Sequence, residues 1–286
     1  MSLRFSLVLL LCASCGDDAA PAPKPNKTVF GGNRPVTLEV PKAYDNRHSW
    51  PLLILLHGYS ASGFIEESYL QLKPLVDEHG VLLAAPDGTV NAQGYEFWNA
   101  TDACCDLDHS GVDDVGYISG LIDEIKGSYN VDPKRVYLMG HSNGGYMSYR
   151  MACDHPEKIA GIVVLAGATW LDTSRCAPSR AVSVLHVHGD HDTEVPYGGS
   201  TASPGAMQSV ADWAHYDHCG ASTTAGEAMD LDTVLSGAET TTAHYDGCPD
   251  GIGVDLWTIQ GGSHIPSFST AFREKTWAWL SAHSAP

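Results

Sequence analysis

Apolar and polar residues alternate or cluster along the chain in short, regular segments. VTLEV at 36–40 alternates, as a half-exposed strand does. LLILL at 52–56 is a continuous apolar run closing on His57-Gly58, the signature of a strand buried on both faces. Ile65, Tyr69, Leu72, Leu75 and Val76 carry helical spacing and predict one helix over 62–79. VLLAA at 81–85 reads as the next buried strand, closed by Pro86-Asp87-Gly88 and followed by a loop to about 110. A helix is predicted over 113–129, with Asp113 and Asp114 suited to its N-terminus. Strands at 135–139, 159–166, 183–188 and 254–259 then alternate with helices at 144–152, 206–218 and 270–282. This alternation predicts an α/β fold, a mainly parallel central sheet with helices on both faces. The Thr/Ala/Gly-rich stretch 220–247 reads as an insertion, and no internal repeat is visible.

The chemistry concentrates where one strand meets one helix. LMGHSNGGY at 138–146 holds Gly-x-Ser-x-Gly, a short pattern that says little by itself. Its position directly between an apolar strand and a helix that begins with small residues is what a nucleophile elbow requires: a sharp turn presents Ser142 at the carboxyl edge of the sheet. The N-terminus of the following helix favours negative charge there. A serine hydroxyl needs a base, and the base an orienting carboxylate. Downstream, VSVLHVHG leads into Asp190-His191-Asp192-Thr193-Glu194, and VDLWTIQ leads into Gly261-Gly262-Ser263-His264. Serine, acid and histidine thus follow three separate strand ends in the order this architecture uses. Oxyanion donors are expected from the backbone N–H of Asn143 and of Tyr59. Trp98, on the loop after PDG, and Tyr59 are candidates for substrate contact.

Composition narrows the partners and the compartment. The formal net charge of −18 disfavours nucleic acid and anionic membrane surfaces, since phosphate binding needs clustered Lys and Arg. The start MSLRFSLVLLLCASC combines Arg4 with an apolar run too short for a permanent span, and reads as a signal peptide over 1–15. Ala13-Ser14-Cys15-Gly16 resembles a lipobox, with Cys15 as the lipidated mature N-terminus; Cys12 departs from that pattern, and simple secretion is the alternative. Residues 16–27 read as an Ala/Pro-rich linker and 28–286 as the catalytic domain. Export implies an oxidising compartment, so Cys104, Cys105, Cys153, Cys176, Cys219 and Cys248 are expected in disulfides. Cys219 with Cys248 is the preferred pair because it would close the Thr-rich insertion. Cys104-Cys105 as a vicinal pair and separate partners for each stay open.

From about 36 to the C-terminus the chain resembles the secreted polyhydroxybutyrate depolymerase/feruloyl esterase group of α/β-hydrolases, similar to carbohydrate esterase family 1. LHGYSASG, PDG, FWNATDACCD, VDDVGYISGLID, RVYLMGHSNGGYMSYRMAC, HVHGDHDTEVPYGG, WAHYDHC and GGSHIPSF carry the resemblance. It implies Ser142 as nucleophile, Asp192 as acid, with Asp190 an extra carboxylate, and His264 as base. Asp114 matches a family position and is read as a helix-start or loop-holding residue. Where the family continues past its histidine with Thr-Trp-Pro-Gly, this chain has Ile265-Pro266-Ser267. The implied activity is cofactor-free hydrolysis of feruloyl or acetyl esters on xylan, or of polyhydroxyalkanoate, outside the cytoplasm. Only the short segment 167–181 joins two strands where lids of this fold enter, so an open cleft suited to polymer-borne esters is expected. Two other readings compete. His186-Val187-His188-Gly189-Asp190-His191 spells HxHxDH, a zinc-ligand pattern, and a hydrolase fold can also serve as a non-catalytic surface lipoprotein.

Overall fold

The computed structural model describes residues 25–286. The predicted signal peptide, Cys15 and linker residues 16–24 lie outside the described residues. β1 (Val29–Phe30) and β2 (Val36–Glu39) pair antiparallel and lead to β3 (Trp50–Leu56). Then come α1 (Gly63–Leu70), α2 (Pro74–Glu78), β4 (Leu82–Ala84) and a small ribbon of β5 (Thr89–Val90) with β6 (Glu96–Phe97). α3 (Asp114–Lys126), β7 (Val131–His141), α4 (Asn143–Asp154), β8 (Gly161–Leu165) and β9 (Ser183–Gly189) follow. α5 (Ala206–Tyr216), β10 (Thr223–Ala225), β11 (Thr240–Tyr245), β12 (Val254–Ile259) and α6 (Thr270–Ala282) complete the described chain.

The main sheet runs β1-β2-β4-β3-β7-β8-β9-β12-β11-β10. Its centre, β4 through β12, is parallel, and both margins are antiparallel. Period-two packing explains the continuous apolar runs. Leu52, Ile54 and Leu56 of β3 pack with Ile118, Ile122, Met147 and Tyr149 on one face. Leu53 and Leu55 pack with Leu75, Phe272 and Leu280 on the other. Truncating such a residue, Ile54→Ala for example, costs about 2–5 kcal/mol because the cavity cannot collapse.

Two predictions are corrected. The helix expected over 62–79 is two helices: Gln71 takes a left-handed conformation (φ 54°, ψ 42°) that ends α1, and Pro74 opens α2. Proline within one continuous helix would lose a bond and clash with the preceding turn. The stretch 220–247 is not merely an insertion, since β10 and β11 extend the sheet antiparallel from β12. Its disulfide is Cys219–Cys248; Cys153–Cys176 and the vicinal pair Cys104–Cys105 are the others among the described residues. Between β8 and β9 the chain makes only one 3₁₀ turn, Thr173–Arg175.

The parallel register aligns the strands' carboxyl ends. His141 of β7 stands opposite Leu165 of β8, and Gly189 of β9 opposite Ile259 of β12. The residues after β7, β9 and β12 therefore emerge along one rim.

Candidate active site

Ser142 occupies the turn between β7 and α4 with φ 52° and ψ −118°, a left-handed conformation costly for a residue with a Cβ. Close packing imposes it. A Cβ on Gly144 would strike the carbonyl oxygens of Leu56 and His57, so glycine there lets α4 start against the end of β3. A Cβ on Gly58 would lie 3.5 Å from that of Ser142, which shows how near the loop after β3 comes to the serine. The N–H of Asn143, first residue of α4, has no intrahelical acceptor, and the Tyr59 N–H belongs to that adjoining loop.

Asn143 also ties in a second loop. Its buried side chain accepts from the Trp98 N–H at 2.7 Å and donates to the Trp98 carbonyl at 2.9 Å. Trp98 itself is 0% exposed, its indole N–H donating to the His57 carbonyl at 3.1 Å. This corrects its reading as a substrate contact: the indole fills the core beneath the site, and only its loop reaches the cleft. Asp114 holds the same loop, accepting from the Asn99 N–H at 2.7 Å and from Arg34 at 2.6 Å.

His264, after β12, donates through Nδ1 to Asp192 Oδ2 at 2.7 Å, and both are buried. The opposite carboxylate oxygen of Asp192 accepts the N–H groups of Glu194 and Val195 at 2.8 and 2.9 Å. Burial alone would push the Asp192 carboxyl up, but the bonds from His188, His264 and the Val195 N–H outweigh it and hold the group below the usual carboxylate range. Ser142 and His264 line one cavity of about 280 Å³, with Asp192 behind the imidazole. The hydroxyl and the ring are not hydrogen-bonded to each other; such bonds commonly tighten only around substrate. Tyr59, Tyr146, Leu107, Val195 and Pro196 form the cavity's apolar wall, together with Cys104 and Cys105.

Several site neighbours escaped the sequence reading. Glu194, 67% exposed at its side chain, places Oε2 3.8 Å from His264 Nε2; its signal was its place two residues past Asp192. His141, inside the quoted GHSNG, donates through Nε2 to the His264 carbonyl at 3.0 Å. Its Nδ1 lies 3.5 Å from buried Glu66. Burial would lower the His141 pKa, but Glu66 overrides it and raises it. Cys104 and Cys105, read as purely structural, form part of the cleft. The HxHxDH stretch does not gather as a metal set: His186 and His188 have every ring nitrogen paired with Tyr149, each other, or Val195 and Asp192. Asp190 accepts the Gly261 N–H at 2.6 Å, and His191 is exposed on the turn.

The parallel sheet and the serine-bearing turn are those of the α/β-hydrolase class. An acetyl xylan esterase from Aspergillus awamori has the same fold, with TM-score 0.62 at 17% identity, over 87% of this chain and 94% of that one. Residues 42–219 match the Phospholipase/Carboxylesterase family, and the chain belongs to it. Feruloyl esterase B of Piromyces equi is 30% identical over 81% of this chain and 42% of that protein. The bifunctional acetylxylan esterase/xylanase XynS20E of Neocallimastix patriciarum is 32% identical over 51% of this chain and 20% of that protein. The chain thus spans less than half the length of these curated relatives.

Proposed function

We propose that the protein is a serine carboxylic-ester hydrolase that cleaves acyl esters borne on polysaccharide or polyester, residues 28–286 being the catalytic domain. The observation that carries this reading is the 2.7 Å bond from His264 to ionised Asp192, with Ser142 on the same cavity in its strained turn. His264 Nε2 takes the hydroxyl proton as Oγ attacks the ester carbonyl. Asp192 fixes the ring through Nδ1–H and stabilises the imidazolium. The N–H groups of Asn143 and Tyr59 receive the oxyanion, helped by the N-terminus of α4. The alcohol leaves with the proton from His264, and water, activated by the same nitrogen, releases the acid. Every step is a proton or acyl transfer among the substrate, water, Ser142 and His264.

The named activities of the relatives support feruloyl or acetyl esters of xylan as the substrate class, with polyhydroxyalkanoate as the other polymer in the group the sequence resembles. Export with a lipid on Cys15 is part of the same reading. The test is fluorophosphonate labelling together with an ester panel of methyl ferulate, acetylated xylan and hydroxybutyrate oligomers. Labelling of the native chain, its loss in Ser142→Ala, and turnover of one polymer-type ester are expected. A folded protein that neither labels nor turns over any of them would be a binder and not an esterase.

A further inference from the structure

The pair of histidines on β9 belongs to a hydrogen-bond chain whose direction follows from its ends. Tyr149 of α4, fully buried, has its hydroxyl 2.9 Å from His186 Nδ1. His186 Nε2 lies 2.9 Å from His188 Nδ1, the two rings edge to edge with centroids 5.2 Å apart and planes 11° from parallel. His188 Nε2 then meets the Val195 carbonyl at 2.8 Å and Asp192 Oδ2 at 3.2 Å.

Both partners of His188 Nε2 only accept, so that nitrogen carries the proton. In the neutral ring Nδ1 is then an acceptor, which makes His186 Nε2 a donor. His186 Nδ1 is left as an acceptor, and the Tyr149 hydroxyl fills it. Reversing the chain would aim a nitrogen lone pair at a carboxylate and strand a buried hydroxyl proton. The surroundings favour a neutral His186 and a protonated Tyr149. Burial, then the neighbouring His188, pushes His186 well below the usual imidazole range, and burial holds Tyr149 protonated.

We propose that Tyr149, His186 and His188 are positioning residues, a one-way relay of donors that ends against Oδ2 of Asp192 and sets the carboxylate on His264. The relay rests on the assignment of Asp192 and His264 as orienting acid and base. Glu194 N–H and Val195 N–H bond Oδ1 of Asp192 and His264 bonds Oδ2, while the His188 Nε2–H, bonded to the Val195 carbonyl, also lies 3.2 Å from Oδ2. His188 thereby does two things. It stops the carboxylate pivoting away from the imidazole, and it draws off part of the negative charge, so the imidazolium is stabilised without being trapped. The other titratable or charged groups facing the relay are Asp212 of α5, whose field reaches Tyr149, and Tyr197, whose ring lies edge-on to His188 at 5.7 Å.

The test compares His188→Phe, His188→Gln and Tyr149→Phe with wild type on a soluble ester across the pH range, with Asp192→Asn as reference. His188→Phe is expected to lower kcat about tenfold or more with KM within about twofold. Its acid limb of kcat/KM should move to higher pH, because an Asp192 with one donor fewer grips the protonated imidazole harder. His188→Gln, whose amide can donate, should recover part of both effects, and Tyr149→Phe should show a smaller fall in kcat. Nitrogen NMR of the wild type should place the proton on Nε2 of both His186 and His188, a readout independent of whether any variant folds. A proton on His188 Nδ1 would overturn the relay. So would a His188→Phe enzyme with wild-type kcat and pH profile while Asp192→Asn is crippled. If Asp192→Asn itself retains full activity, the assignment of the acid fails instead.

Discussion

The Glu194 carboxylate stands 3.8 Å from Nε2 of His264, on the ring edge that faces the cavity and not the buried edge that meets Asp192. An exposed carboxylate at that rim repels a second negative charge close to the scissile bond. Glu194→Gln is expected to raise kcat/KM for esters carrying a free carboxylate near the ester by about two- to fivefold, leaving neutral esters nearly unchanged. The difference should shrink as salt is added, since the side chain is solvated. Equal effects on charged and neutral esters at low and high salt would show that Glu194 acts otherwise.

The two-way bond between Asn143 and the Trp98 backbone supports a second prediction. It ties the serine turn to the loop that carries Cys104 and Cys105 along the cavity wall. Asn143→Ala removes the tie, leaves the Trp98 N–H buried without its partner and leaves its carbonyl only the long bond from the Cys105 N–H at 3.4 Å, while the N–H of residue 143 remains. A fall in kcat/KM of about tenfold or more is expected, with a stability loss of roughly 1–3 kcal/mol. Ester kinetics and thermal melting check both. Unchanged kinetics in a destabilised protein would confine Asn143 to a packing role.

What the sequence made legible divides along physical lines. The central strands were readable because burial on both faces demands unbroken apolar runs, and LLILL or VSVLHV can hardly be anything else. The rim was readable because each of Ser142, Asp192 and His264 follows such a run, and parallel strands bring their ends together. β10 and β11 were hidden: Thr223, Thr224 and Ala225 are all exposed, so no buried face leaves a periodic trace. The break between α1 and α2 was announced by Pro74, yet the apolar spacing continued across it and masked the stop. Trp98 was misjudged because a loop residue beside a site looks the same in sequence whether its ring faces in or out. The histidines of β9 offered a competing zinc pattern for a similar reason: spacing shows that two imidazoles share a face, not which donors and acceptors meet them.

Cys219–Cys248 joins the end of α5 to the end of β11, with a sequence separation of 29 residues. Closing a loop of that length restricts the unfolded chain by about 3–4 kcal/mol in the entropic account. The double variant Cys219→Ala/Cys248→Ala is expected to lower Tm by roughly 5–10 °C. Catalysis at moderate temperature should persist, because neither cysteine borders the serine cavity. A melting curve indistinguishable from wild type would mean that the antiparallel margin is held by its strand pairing alone.

Asp217, at the C-terminal end of α5, sets a limit on stability at alkaline pH. One oxygen accepts the Val182 N–H at 3.1 Å, while the other is buried without a partner. Burial raises its pKa from 3.8 to about 8, the Val182 N–H only partly opposing the shift. The folded state thus binds this proton more tightly than the unfolded chain does. The resulting stability is fully present below about pH 4 and is progressively lost as pH rises to about 8, where folding must accommodate a buried charge. Asp217→Asn keeps an acceptor for Val182 and cannot ionise. The variant should match or trail wild type at pH 5 and melt several degrees higher at pH 9. Melting temperatures of the two proteins across that range provide the check, and a gap that does not widen with pH would mean that Asp217 is charged in the folded protein.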